Sequence, residues 1–83
     1  MNAPIIYADF NNADRQGRLR LSVRGSQEDI QRLGLKLCDG MKLIVQDDGL
    51  SANAVVRLSE EEHIWVAEID WSQIKRYPSG LHT

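Results

Sequence analysis

The residues best suited to chemistry stand in one short run. Gly17 to Arg24 reads Gly-Arg-Leu-Arg-Leu-Ser-Val-Arg. On an extended strand Arg18, Arg20, Ser22 and Arg24 would share one face, with Leu19, Leu21 and Val23 on the other. Alternate side chains on such a face lie roughly 6.6–7 Å apart, close to the phosphate repeat of a nucleic-acid strand. Arg15 in the preceding loop would lengthen the row, and Tyr7 on a neighbouring strand would offer a stacking face. That chemistry is weak recognition of RNA or single-stranded DNA. The plainer alternative pairs the same arginines across the sheet with Asp9, Glu62 or Glu68. A net charge of −2, from ten Lys and Arg against twelve Asp and Glu, favours pairing.

Other chemistry-bearing residues carry less. Cys38, His63 and Asp39 are the residue types of a thiol triad, but Cys38 sits in a turn with no helix N-terminus to activate it. His63 stands beside three glutamates, and His82 lies in the last residues. Asp9, Asp14, Asp47, Asp48 and Asp70 are oxygen donors suited to a hard cation, yet their spacing matches no EF-hand loop. Turn chemistry accounts for each singly. No glycine-rich phosphate loop, GxSxG, HExxH or CxxC occurs. The expectation is therefore a binding module with no catalytic residues, no cofactor and no metal.

Eighty-three residues make one domain near the lower size limit for folding without staples. At 42% hydrophobic and 27% charged, the chain is too apolar for disorder. A single cysteine excludes an intramolecular disulfide. The first residues lack the features of a signal peptide, and no apolar run approaches the ~20 residues that span a bilayer. These features predict a cytoplasmic protein with a reduced thiol and no membrane contact. So small a core predicts modest stability, which a dimer would raise.

The elements that would position these residues are mostly strands. Residues 5–11 predict a first strand, joined by a polar loop over 11–17 to the arginine segment as a second, in a hairpin. Ser26 to Gly34 predicts a short helix, with Ser26 as N-cap, Asp29 as its capping-box partner and Gly34 as the stop. Met41 to Asp47 alternates as a third strand, and Asp48-Gly49 is a tight-turn pair. Ala54, Val56 and Leu58 continue the inward face. Ser59 to Glu62 is an acidic connection, and His63 to Asp70 sets Trp65, Ala67 and Ile69 inward. Trp71 to Ile74 predicts one helical turn closing an open end of the sheet. Residues 1–75 form the domain and residues 76–83 a flexible tail.

This pattern is mainly β (α+β): a five-stranded, strongly curved antiparallel sheet or a small SH3-like barrel with one short helix. Gly40 to Gly49 resembles the strand-and-turn unit of SH3-like barrels, including KOW modules, although its turn is acidic where a nucleic-acid-binding KOW unit is usually basic. A wider resemblance, over residues 5–74, is to small uncharacterised bacterial proteins of similar length. It is carried by Tyr7 to Asp14, Gly17 to Leu21 and Trp65 to Trp71. That group implies no activity and no site residues.

Ile44, Val55, Ile64 and Val66 all fall on the outer face of their predicted strands. Apolar residues gathered there mark a surface for a protein partner or a homodimer seam, with strand addition at a sheet edge as one mode of contact. The leading expectation is a protein-interaction module built on these four. A nucleic-acid binder using Arg15, Arg18, Arg20, Arg24 and Tyr7 is the alternative.

Overall fold

Two consecutive hairpins form the centre of the fold. The computed structural model describes residues 3–76. Strand β1 is Ile5–Tyr7, β2 Leu19–Arg20, β3 Lys42–Asp47, β4 Leu50–Ser59, β5 Ile64–Ile69 and β6 Lys75–Arg76. One α-helix, α1, lies among the described residues and spans Arg24–Arg32. The order across the sheet is β1-β3-β4-β5-β2, with β6 continuing the line of β5 along β4. The sheet curls into a half-barrel, so the mainly-β class holds.

Local sequence explains the hairpins. Asp48 and Gly49 alone join β3 to β4, and Gly49 takes the positive φ (90°) that this two-residue turn requires. The inward faces alternate as their patterns predict: Leu43 and Val45 on β3, Ala52, Ala54 and Val56 on β4, and Ala67 on β5 are buried together. Leu58 departs from its expected inward burial and is 47% exposed. It pairs with Trp65 near the turn between β4 and β5, where the sheet outruns its core. One helical turn does follow β5, over Trp71–Gln73, with Asp70 accepting from the Ser72 N–H.

The expected hairpin between the first two strands does not form. Strand β1 instead adds in parallel to β3, Ile5 opposite Ile44 and Tyr7 opposite Gln46, so the sheet is mixed and β1 and β2 lie at opposite ends of its strand order. The reason lies just beyond Tyr7. Ala8 and Phe10 continue the alternation of Ile6 and are buried with it, so the chain runs on across the gap between the two edges. It turns only at Asp14–Arg18. There Ala13 bridges Leu19, the Asp14 N–H donates to the Arg18 carbonyl (2.8 Å) and the Arg20 N–H to that of Asn12 (3.1 Å).

The helix also begins earlier than expected. Val23 is its N-cap residue, no side chain caps it, and Arg24 is its first residue. Ser26 is buried inside the first turn, where its hydroxyl donates to the Tyr7 carbonyl (2.6 Å), while the Tyr7 N–H donates to Asp29 Oδ2 (2.7 Å). The three-residue spacing of a capping box thus satisfies both outward backbone groups of an edge-strand residue instead of the helix's own end. Gly25 lets the helix come this close, since a Cβ there would lie 2.5 Å from the Tyr7 ring. The C-terminal stop is as predicted. Gly34 (φ 65°) and Leu35 donate to the Gln31 and Ile30 carbonyls, closing a Schellman turn.

Arg76, expected in a loose tail, pairs with Leu50 in β6. The rest of that tail, residues 77–83 including His82, lies outside the described residues. Among those described, no helix is long and apolar enough to cross a membrane.

Candidate functional site

The arginine row does not survive as a row. Strand β2 is only two residues long, the chain turns over Leu21 to Val23, and Arg24 already belongs to α1. Each arginine is also paired. Arg15 meets Glu61 at 2.7 Å and Arg24 meets Glu28 at 3.0 Å, both in solvent. Arg20 makes a two-pronged bond to Glu62 (Nε to Oε1 2.7 Å, Nη2 to Oε2 2.9 Å) and donates through Nη1 to Asn12 Oδ1 and the Ala13 carbonyl. Arg18 donates to Asp14, with side-chain exposures of only 14% and 3%.

These pairs shift the ionisation of both partners. The Arg20 hydrogen bond holds the Glu62 carboxyl below its usual range, and the Glu62 bond raises the Arg20 guanidinium. Burial alone would raise the Asp14 carboxyl, but hydrogen bonds from the Arg18 N–H, the Arg18 guanidinium and the Gln16 N–H outweigh it, and the net shift is downward. A phosphate approaching this region would have to displace carboxylates already bound. Tyr7 fares no better as a stacking platform. Its ring lies against Gly25, and burial followed by the charges of Asp9 and Asp47 pushes its phenol up, a setting that repels phosphate.

Cys38 and Asp39 lie beside the Val56–Arg57 part of β4, where the Gly40 N–H donates to the Val56 carbonyl and Asp39 meets Arg57. His63 sits in the turn between β4 and β5. The described residues contain no hydrogen bond that links Cys38, Asp39 and His63, and no group of three His, Cys, Asp or Glu side chains placed to hold a metal ion. The aspartates serve the backbone nearby: Asp9 accepts from the Asn11 N–H, Asp47 from the Phe10 N–H and Asp70 from the Ser72 N–H.

The four outward apolar residues do share one face of the sheet, but they divide. Register sets Ile5 opposite Ile44, Ile44 opposite Asn53, and Val55 between Lys42 and Glu68. Ile44 and Val55 are half-buried, and Ile5 is 49% exposed beside them. Val66 is fully buried, contrary to its expected exposure. It lies between Arg20 and Arg57 in register, and their aliphatic stems are the side chains placed to cover it. Ile64, at the far end of the face, lines an open cleft of about 220 Å³ with Leu21, Ser22, Gln27, His63 and Trp65. Ile5 escaped the sequence reasoning because its alternation with Ile6 is visible but its neighbour on β3 is not.

Strand addition is blocked where the edges are covered, at Tyr7 on β1 and along β2. Ser26 and Asp29 take the outward backbone groups of Tyr7, and residues 12–14 pair along β2. No family model, curated protein or solved structure matches this chain.

Proposed function

We propose that the protein is a small interaction module, without a catalytic step, that engages another protein through the outer face of its sheet. The observation that carries this is the contiguous set Ile5, Ile44 and Val55, which stands on the face turned away from the core cluster. Val66 belongs beneath this surface as support. Contact through side chains rather than through backbone addition fits the covered edges at Tyr7 and along β2. The nucleic-acid alternative loses its main support, because its arginines are engaged by carboxylates and its tyrosine stands in a negative setting.

Affinity capture from the native cell, with nuclease in one arm, tests the proposal. Val55→Lys and Ile44→Lys should each lose the captured protein while retaining the wild-type circular dichroism spectrum, and nuclease should have no effect. Capture that survives both substitutions but fails in Arg15→Ala or Arg24→Ala would refute it.

A further inference from the structure

Charge on this protein is mostly settled internally, and the exceptions are placed unevenly. Arg15, Arg18, Arg20, Arg24, Arg32 and Arg57 each have a carboxylate within 4.0 Å. Lys36, Lys42, Lys75 and Arg76 have none among the described residues, and of these Lys42 and Lys75 share a face of the sheet. Register puts both on the outer face. Lys42 stands opposite Val55, and Lys75 opposite Ser51, which is itself opposite Gln46. Both are exposed. From the strand rise and spacing they lie on the order of 16 Å apart. The acidic side chain nearest in register, Glu68, is already engaged by Arg57 at 3.2 Å. The face thus carries an apolar strip with one uncompensated cation, Lys42, beside Ile44 and Val55, and a second, Lys75, beyond Ser51.

We infer that the partner of this face is an acidic amphipathic segment of another protein, with apolar side chains seated on Ile5, Ile44 and Val55 and carboxylates meeting Lys42 and Lys75. This rests on the interaction-face proposal above and adds the sign of the partner's charge. The lysines would contribute to specificity and association rate, because an exposed cation beside an apolar contact attracts carboxylates and disfavours basic competitors.

The test titrates isotope-labelled protein with two synthetic peptides, followed through the amide resonances of Ile5, Ile44 and Val55. One peptide carries leucines on one face flanked by glutamates, and its twin has glutamine for each glutamate. The glutamate peptide should bind the wild type about 2- to 30-fold more tightly, the range for two exposed ion pairs. That advantage should shrink in 0.5 M salt and vanish in Lys42→Gln/Lys75→Gln. Equal binding of both peptides at this face would overturn the inferred charge and leave the interaction face standing. No shift at these residues with either peptide at millimolar concentration would overturn both. So would preferential shifts with a single-stranded oligonucleotide.

Discussion

Removing the Asp14 carboxylate should cost more than removing its arginine partner, and the difference can be worked from the hydrogen bonds. Asp14 Oδ1 accepts from the Gln16 and Arg18 N–H groups, and Oδ2 from Arg18 Nε, all at 2.9 Å. Asp14→Ala therefore orphans two backbone donors and leaves a guanidinium that is mostly buried without its counter-charge. Hydrogen bonds to a charged group contribute about 1.5–3 kcal/mol each, and water entering the space left by the carboxylate recovers part of the loss. A net cost of about 2–4 kcal/mol follows. Arg18→Ala leaves the two amide bonds in place and should cost about 1–2 kcal/mol. At roughly 4–8 °C per kcal/mol for a domain this size, Asp14→Ala should lower Tm by about 8–30 °C. Urea and thermal unfolding of both single variants and the double variant measure these costs and their coupling. The same pair sets an acid dependence. The Asp14 carboxyl lies below its usual range in the fold, so the unfolded chain takes up the proton first. Its stabilisation is complete above the ordinary carboxylate pKa of about 3.9 and fades as pH falls through the lower, folded value. Wild-type stability should therefore drop in that acid range, and Asp14→Ala should drop less steeply. An Asp14→Ala cost under about 1 kcal/mol, or one no larger than that of Arg18→Ala, would refute the reasoning.

Two further outcomes are expected. His63 takes a left-handed φ of 59° at the end of the turn between β4 and β5. Left-handed backbone costs a non-glycine residue about 1–2 kcal/mol, so His63→Gly should stabilise by about 0.5–1 kcal/mol after the entropy of the freer unfolded chain is charged against it; destabilisation in urea would contradict this. Ser26→Ala should cost about 1–3 kcal/mol by orphaning the Tyr7 carbonyl, with faster amide exchange in β1 and the helical signal retained, whereas fraying confined to α1 would restore the capping role.

Local patterns were legible in the chain because their causes are local. The alternation of Leu43 and Val45, and of Ala54 and Val56, names a buried face through a two-residue period that belongs to any half-buried strand. Asp48-Gly49 and Gly34 name a turn and a helix stop because few other residues tolerate the backbone those positions need. That carboxylates would neutralise the arginines was foreseeable in kind, from net charge and residue type. Of the expected partners, however, only Glu62 holds one of the row, and the other pairs lie within a loop, within α1 and against the turn between β4 and β5. Tertiary structure decided everything that depends on which distant segments meet. Arg20 and Glu62 are 42 residues apart, and Tyr7 and Asp29 are 22 apart, so no window of sequence contains either contact. Ser26 carries the signature of a cap and serves an edge strand, because the parallel placement of β1 leaves Tyr7 with backbone groups that need partners. Val66 has the spacing of an exposed residue and is buried, because two arginines from neighbouring strands flank it. Whether a side chain faces inward or outward follows from periodicity; what covers it, and what neutralises it, follows from topology alone.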